Sequence, residues 1–300
     1  MKKARTVRLQ ENENPTRRRF LQTAGFGAAA ALAVAGRSFE PHRAAAQAAA
    51  ATGDSSRKIP FVLGLASYTL RKFSLDETLA MTRRVGLTHI CLKSFHLPLD
   101  TPPAQIAAAA EKVRQAGLTL YGGGVIGMKD EDEVNQAFEY ARAAGMNTIV
   151  GVPAPDVLPL VNGKVQEFDI AVAIHNHGPG DKVYPTPESA YEKIKDLDKR
   201  IGLCIDIGHT LRTGADPIRD AERFADRLLD IHLKDIHEAA PGGRAIEVGR
   251  GVIDIPRFLA TLVEIGYSRV AAFEYEKDAD DPLAGLAESV GYVKGVLAAS

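Results

Sequence analysis

The chain has 300 residues, of which 45% are hydrophobic and 25% charged, and its formal net charge is −1. This length and hydrophobic content are sufficient for one substantial core. Residues 1–46 contain nine Lys/Arg and three Asp/Glu, so the remainder of the chain carries about −7. An acidic body argues against a nucleic-acid partner, because binding phosphates requires a basic face.

The first 51 residues have the composition of an export signal. Thr16-Arg17-Arg18-Arg19-Phe20-Leu21 resembles the twin-arginine motif, and a weakly apolar stretch follows it, then an Ala-rich segment with small-residue cleavage sites. A membrane anchor is the alternative, but the apolar stretch is short for about 30 Å of hydrocarbon. We therefore predict a twin-arginine signal peptide and linker over residues 1–51. The twin-arginine export machinery would deliver the protein to the periplasm or outside the cell, without a membrane anchor after cleavage.

From residue 59 to residue 300 the sequence alternates short apolar runs with longer amphipathic ones, each pair about the length of one βα unit. Only the seventh βα unit is longer than the others. The eight predicted strands are Phe61–Ala66, His89–Lys93, Leu118–Gly122, Thr148–Val152, Ala171–His175, Ile201–Asp206, Leu229–Lys234 and Val270–Tyr275.

Local signals mark where the intervening helices begin and end. Ser74, Thr186-Pro187 and Asp216-Pro217 are typical helix starts. A four-residue junction recurs after the predicted helices: an apolar residue, a glycine, a second apolar residue and a small polar residue. Its glycine can adopt the left-handed conformation that ends a helix. The four junction glycines are Gly86, Gly117, Gly145 and Gly266.

Alternating strands and helices joined by short turns require parallel strands with right-handed crossovers. Eight units in about 240 residues fit a single α/β domain, a (β/α)8 TIM barrel over residues 59–300. An open doubly wound sheet is the alternative, but no Gly-x-Gly-x-x-Gly follows the first strand. Gly122–Gly124 is interpreted as a tight turn, and Cys91 and Cys204 as two buried thiols rather than a disulfide.

Polar side chains gather at the predicted carboxyl ends of the last four strands, where TIM barrels hold their active sites. Because side chains alternate along a strand, residues two apart share a face, so several of these groups would converge if that face points inward. The four strand ends read His175-Asn176-His177, Asp206-Ile-Gly-His209, His232-Leu-Lys234-Asp235 and Glu274-Tyr-Glu276.

Four of these residues, His175, Asp206, His232 and Glu274, form a ligand set for one divalent cation. Two carboxylates offset the charge of the ion, and two neutral imidazoles complete the coordination sphere. Without a cation, two buried carboxylates would lie close together, which is unfavourable unless one is protonated. The alternative is a hydrogen-bonded core network of histidines and acids.

With these residues in view, the body resembles the xylose-isomerase-like TIM barrels, often called sugar phosphate isomerases/epimerases, over roughly residues 59–298. The resemblance implies that Asp206, His232 and Glu274 bind Mn²⁺, Mg²⁺, Co²⁺ or Zn²⁺. Its most specific motifs are Asp206-x-x-His209, His232-Leu-Lys234-Asp235, Gly249-Arg250-Gly251 and Glu274.

The fifth strand departs from the family pattern. Relatives usually have a metal-binding Glu before Asn-His, and here that position is His175. In the epimerases this Glu often serves as a catalytic base, so its absence argues against simple two-base epimerisation while leaving a metal ligand in place. The extra histidines of the three-zinc endonucleases in the family are not evident.

Other side chains near the strand ends are assigned roles in catalysis or substrate binding. His177, His209 and Glu276 are candidate bases, and Lys234 is a candidate donor to a developing oxyanion. Each has an alternative interpretation as a surface or supporting ion pair. The candidate substrate-binding residues are Lys93, His96, Asn176 and Arg250.

The leading functional hypothesis is a metal-dependent isomerase or epimerase that acts on a sugar or keto-sugar through an enediolate. A lyase or hydratase of 3-keto-glycosides would use the same chemistry. A hydrolase that uses the metal to activate water, and a non-catalytic sugar-binding barrel, are further alternatives. The expected partner is therefore a small carbohydrate, and the sequence leaves the oligomeric state open.

Overall fold

The computed structural model describes residues 59–299. Residues 1–51, the predicted signal peptide and linker, lie outside the described residues. The strands of the described part are β1 (Val62–Ala66), β2 (His89–Leu92), β3 (Thr119–Met128), β4 (Thr148–Pro153), β5 (Ala171–His175), β6 (Ile201–Asp206), β7 (Leu228–Leu233), β8 (Asp235–Ile236), β9 (Ala245–Ile246) and β10 (Val270–Phe273).

Eight of these strands are parallel and form a closed barrel in the order β1-β10-β7-β6-β5-β4-β3-β2. The predicted (β/α)8 TIM barrel is therefore confirmed, and the open doubly wound sheet is excluded. The helices are α1 (Leu75–Arg84), α2 (Pro103–Gln115), α3 (Glu131–Ala144), α4 (Leu158–Phe168), α5 (Pro187–Ile194), α6 (Ile207–Arg212), α7 (Pro217–Arg223), α8 (Ile255–Glu264) and α9 (Leu283–Ala299). Within residues 59–299, no helix has both the length and the apolar character needed to cross a bilayer.

The local helix signals are confirmed. Ser74 and Thr186 each form a capping box, and the Asp216 side chain accepts hydrogen bonds from the first turn of α7. These contacts satisfy backbone N–H groups that have no partner inside the helix. All four junction glycines have φ between +65° and +75°, the left-handed region that ends a helix.

Two features of the strands differ from the prediction. Gly122–Gly124 is not a turn but lies within β3, which continues to Met128. A Cβ on Gly124 would lie 2.2 Å from the Val150 carbonyl oxygen of β4, so glycine allows the two strands to approach. The seventh βα unit is long because β8 and β9 form a small antiparallel ladder after β7.

The buried apolar side chains form two separate clusters, one inside the barrel and one between the strands and the helices. The inner cluster includes Ala173, Cys204 and Ala272, each two residues before a predicted metal ligand. Both cysteines are buried free thiols, as predicted. Because side chains alternate along a strand, the ligand two residues further on also faces inward, and it lies at the carboxyl end of the barrel.

Asp220 is a buried carboxylate on helix α7, outside the barrel strands, and its ionisation affects the stability of the fold. It is 8% exposed, and its Oδ2 atom has no hydrogen-bond partner within residues 59–299. Burial, together with the charge of Glu188, raises the pKa of Asp220 to about 6. Because the folded-state pKa exceeds the unfolded value of about 3.9, ionisation destabilises the fold as the pH rises from about 4 to above 6.

We therefore expect Asp220→Asn to stabilise the protein by about 1–2 kcal/mol at pH 7.5, with a smaller gain at pH 4.5. Urea unfolding at the two pH values measures this difference. Asp226→Asn, a change at an exposed side chain, serves as the control and should alter the free energy of unfolding by less than about 0.5 kcal/mol. An Asp220→Asn effect that is the same at both pH values would contradict the titration argument.

Candidate metal centre

The four predicted metal ligands converge at the carboxyl end of the barrel. His175 ends β5, Asp206 ends β6, His232 lies in β7, and Glu274 directly follows β10. All four side chains are buried, and one ligand atom from each lies within 4.8 Å of every other. These residues are adjacent because β5, β6, β7 and β10 are consecutive around the barrel.

The shortest contacts within this set join its nitrogen and oxygen atoms. His175 Nε2 lies 3.0 Å from His232 Nδ1 and 3.7 Å from Asp206 Oδ2. His232 Nδ1 also lies 3.3 Å from Glu274 Oε2. Two imidazoles and two carboxylates thus direct nitrogen and oxygen atoms toward one small volume.

A buried ammonium group lies beside this volume. Lys234 Nζ is 2.9 Å from Asp206 Oδ2, 2.9 Å from Glu274 Oε2 and 2.9 Å from Glu276 Oε1. Its side chain is only 3% exposed, so these carboxylates are its compensating charges. Lys234 is therefore part of the centre rather than a surface ion pair.

The same charges set the pKa values of the carboxylates and of the lysine. Burial would raise the pKa of Asp206, but His209 and Lys234 outweigh it and hold that pKa well below its usual value. Glu274 is likewise buried, and Lys234 and His232 hold its pKa well below the ordinary range. Burial would lower the pKa of Lys234, yet the acidic neighbours raise it well above normal. Two carboxylates and one ammonium are therefore charged at neutral pH.

The two histidines of the set have opposite shifts. Burial lowers the pKa of His175 to about 3, so its imidazole is neutral, which is the form that binds metals. Burial also disfavours the charged form of His232, but Glu274 outweighs it and raises the His232 pKa. A cation at the centre would replace that proton as the positive partner of Glu274.

The residues present fit a divalent cation. Ligands about 2.1 Å from one ion lie at most about 4.2 Å apart, and the observed ligand atoms lie within 4.8 Å of one another, so the widest pair would close by up to about 0.6 Å. The mixture of imidazole and carboxylate suits the borderline and hard divalent ions, Zn²⁺, Co²⁺, Mn²⁺ and Mg²⁺. Within residues 59–299, the one other set that could hold an ion shares His175 and His232 and adds Cys204.

The candidate bases surround the centre at different distances. The His177 ring centroid lies 4.6 Å from that of His175, and its Nδ1 is 3.3 Å from Asp181 Oδ2. His209 Nε2 lies 3.3 Å from Lys234 Nζ. Burial lowers the pKa of both His177 and His209, which leaves neutral imidazoles able to accept a proton. Glu276 is in contact with Lys234, as described above.

The predicted substrate-binding residues are placed differently. Asn176 is buried and engaged in the fold, since its Oδ1 accepts from the Asp206 backbone N–H at 3.1 Å and its Nδ2 lies 3.1 Å from Thr210 Oγ1. Both ring nitrogens of His96 have partners within the fold, including Ser67 Oγ at 2.9 Å. The Asn176 amide thus contacts the backbone rather than the carboxylate of Asp206, and His96 is bonded to other parts of the fold. The substrate contacts of both residues stay a prediction.

Lys93 and Arg250 also have partners outside the ligand set. Lys93 Nζ donates to the Val125 carbonyl at 2.7 Å, and burial lowers the pKa of Lys93. The Arg250 side chain is 59% exposed and pairs with Glu288 of α9, with Nη2 2.7 Å from Oε2. Arg250 is therefore an exposed residue whose observed partner is Glu288, not one of the four metal ligands.

Two further buried aspartates lie close to the ligand set in the sequence and were not given roles from it. Asp235 is fully buried, and its carboxylate accepts backbone N–H groups from Gly249, Gly251 and Ile253, which attaches the Arg250 loop to the end of β7. Asp230 lies two residues before His232. The period of two that linked His232 to Lys234 also reaches Asp230 and could have identified it.

Curated relatives are similar to part of the chain. Inosose dehydratase from Geobacillus kaustophilus is 29% identical over 129 residues, 38% of this chain and 41% of that protein. The chain spans about two fifths of the length of the curated relatives it matches.

Solved structures show the same fold at low sequence identity. L-ribulose 3-epimerase superposes with a TM-score of 0.65 at 18% identity, over 79% of this chain and 94% of that one. An IOLI protein with a bound zinc atom has a TM-score of 0.64 at 18% identity, over 80% and 99% of the two chains. The family model for xylose isomerase-like TIM barrels matches residues 70–296. The chain therefore belongs to the xylose isomerase-like TIM barrel family.

Proposed function

We propose that the chain is a divalent-metal-dependent enzyme that isomerises or epimerises a sugar or keto-sugar through an enediolate. The observation that carries the proposal is the convergence of His175, Asp206, His232 and Glu274 beside the buried Lys234 ammonium. The zinc atom of the IOLI protein and the ketose chemistry named for L-ribulose 3-epimerase support it by analogy.

A cation held by these four residues would supply Lewis acidity to the carbonyl and neighbouring hydroxyl oxygens of the substrate. The chain's own groups would handle the proton. His177 and His209 are neutral imidazoles at the rim of the centre, so either can remove the proton from the carbon next to the carbonyl. With a cation held by Asp206 and Glu274, the Lys234 N–H groups that now face these carboxylates would be released. Lys234 could then donate a hydrogen bond to the oxygen on which negative charge develops, while Glu276 holds its ammonium in place.

Deuterium exchange tests this proposal without knowledge of the natural substrate. The full chain, loaded with Mn²⁺ or Co²⁺, would be incubated in D₂O with a panel of ketoses and keto-sugars. We expect at least one sugar to gain deuterium at the carbon next to the carbonyl, and we expect Asp206→Asn to abolish that exchange. A loaded protein that catalyses neither exchange nor elimination with any sugar in the panel would contradict the proposal.

A lyase or hydratase of 3-keto-glycosides is the second candidate. It is favoured by His175, which occupies the position where an epimerase of the family usually has a glutamate base, and by the similarity to inosose dehydratase. In such a reaction the C–H bond beside the carbonyl breaks, the glycosidic C–O bond breaks next, and the leaving oxygen takes a proton. Loss of the aglycone with formation of an unsaturated ketone would distinguish this activity from epimerisation.

A sugar-binding barrel without turnover would give a different result from either enzyme. It predicts sugar binding with no deuterium exchange, and affinities that do not change when His177 or Glu276 is replaced. A hydrolase would incorporate ¹⁸O from labelled water into a product without deuterium exchange at carbon. These outcomes separate the proposals in a single set of incubations.

We further propose export by the twin-arginine route to the periplasm or the cell exterior, on the basis of residues 16–21. Replacing Arg17 and Arg18 together by lysine is expected to retain the protein in the cytoplasm, because the translocase reads the arginine pair. Cell fractionation with immunodetection measures the distribution. Arg5→Lys with Arg8→Lys is the control and should leave export unchanged. Equal export of both double variants would contradict this proposal.

A further inference from the structure

A carboxylate lies on the far side of His232 from the metal ligands. Asp230 Oδ2 is 3.8 Å from His232 Nε2, while His232 Nδ1 faces His175 Nε2 at 3.0 Å and Glu274 Oε2 at 3.3 Å. His232 Nε2 has no hydrogen-bond partner within residues 59–299. The two ring nitrogens therefore face different groups, one the ligand set and the other Asp230.

Asp230 is itself held inside the barrel. Its side chain is fully buried, and the Tyr121 hydroxyl of β3 lies 3.4 Å from each of its carboxylate oxygens. It pairs in register with Cys204 of β6, one step below the pairing of Asp206 with His232. Asp230 thus lies one layer beneath the ligands, and Tyr121 links it to the opposite side of the barrel.

The position of a carboxylate beside one imidazole nitrogen decides which nitrogen carries the proton. A neutral histidine has one N–H and one lone pair, and a neighbouring negative charge favours the N–H at the nearer nitrogen. Glu274 Oε2 lies 3.3 Å from Nδ1, but a cation held by Glu274 would offset that charge, and the Asp230 carboxylate then favours the N–H at Nε2. The lone pair is then left on Nδ1, which is the nitrogen that faces the other three ligands. At 3.8 Å this contact is electrostatic rather than a direct hydrogen bond, and it acts without a competing acceptor at Nε2.

We infer that Asp230 is a positioning residue that fixes the tautomer and ring orientation of His232, so that His232 presents Nδ1 to the metal. This inference rests on the proposed metal centre. It assigns a role to a side chain that does not itself contact the cation, and such supporting carboxylates typically change metal affinity about 10- to 100-fold.

The first test is the Co²⁺ affinity of the full chain, measured by competition with a chromophoric chelator. We expect Asp230→Asn to weaken Co²⁺ binding about 10- to 100-fold, because the asparagine amide keeps the shape but loses the charge that favours Nε2–H. Asp220→Asn is the matched control, since it neutralises another buried aspartate that lies on helix α7 and is not among the metal ligands, and it should leave the affinity unchanged. An Asp230→Asn protein that is folded and binds Co²⁺ as tightly as the wild type would overturn the inference.

The second test uses the unaltered protein and does not depend on a variant that folds. Nitrogen-15 chemical shifts of the Zn²⁺-loaded chain report the protonation of each ring nitrogen, with the His232 ring assigned by through-bond correlation to its backbone resonances. We expect a protonated Nε2 and a metal-coordinated Nδ1. A protonated Nδ1, or coordination through Nε2, would overturn the inference alone. A wild-type chain that binds neither Co²⁺ nor Zn²⁺ would overturn the metal centre, and this inference with it.

Discussion

Replacing Asp206 by asparagine is expected to weaken Mn²⁺ or Co²⁺ binding by roughly 100-fold or more, because residues that only support a metal ligand already change affinity about 10- to 100-fold. Asparagine keeps an oxygen that can accept from the His209 backbone N–H, the 2.7 Å bond by which Asp206 caps α6. The change therefore removes charge and a strong ligand without removing the cap. Isothermal titration of the full chain with either ion measures the effect.

Asp216→Asn is the matched control for this experiment. Asp216 caps α7 in the same way that Asp206 caps α6, and it is not among the metal ligands. We expect Asp216→Asn to retain wild-type affinity and nearly wild-type stability. Equal affinities of the wild type and Asp206→Asn would contradict the assignment of Asp206 as a ligand.

Replacing Lys234 by methionine is expected to destabilise the protein by about 3–5 kcal/mol in the presence of a chelator. The substitution leaves Asp206 and Glu274 buried and close together without the ammonium that lies 2.9 Å from each. Methionine preserves much of the apolar length of the side chain, so the loss reflects charge rather than packing. Urea unfolding in the presence of EDTA gives this difference.

A divalent cation should rescue the Lys234→Met protein. At a concentration 100 times the dissociation constant, a bound ion stabilises the folded state by about 2.7 kcal/mol. We expect the variant to gain more from Mn²⁺ than the wild type does, because the ion no longer competes with an ammonium for the same two carboxylates. Equal stabilisation of both proteins by Mn²⁺ would contradict the shared use of these carboxylates.

Lys112→Met is the control for the lysine substitution. Lys112 pairs with Asp76 at 2.8 Å, but its side chain is 50% exposed. Exposed ion pairs contribute at most about 1 kcal/mol, so this variant should unfold at nearly the wild-type urea concentration whether or not a cation is present. Comparing the two variants tests whether the loss of stability in Lys234→Met comes from the burial of that lysine.

The sequence predicts those parts of the fold that depend on local chemistry. The caps at Ser74 and Thr186, and the left-handed glycines at Gly86 and Gly145, involve residues a few positions apart, so their signals lie within short windows. The convergence of the four ligands was also accessible, because closure of the barrel brings the ends of consecutive strands together. The spacing of the strands was enough to predict that closure.

Features that depend on contacts across the barrel were not accessible in this way. Gly122–Gly124 has the composition of a turn, and only the closeness of β4 explains its place in a strand. His96 and Asn176 follow strands as binding residues often do, yet their polar atoms are used by neighbouring elements. The period of two along β7 places Asp230 on the same face as His232, but its contact with Tyr121 on β3 crosses the barrel, and no local pattern specifies that contact.

The position of a bound ion tests the account most directly. Crystals of the full chain soaked in Mn²⁺ would be measured for anomalous scattering near the carboxyl end of the barrel. We predict one strong peak within about 2.5 Å of a nitrogen or oxygen atom of each of His175, Asp206, His232 and Glu274. A peak elsewhere, or no peak at a saturating Mn²⁺ concentration, would contradict the proposed metal centre.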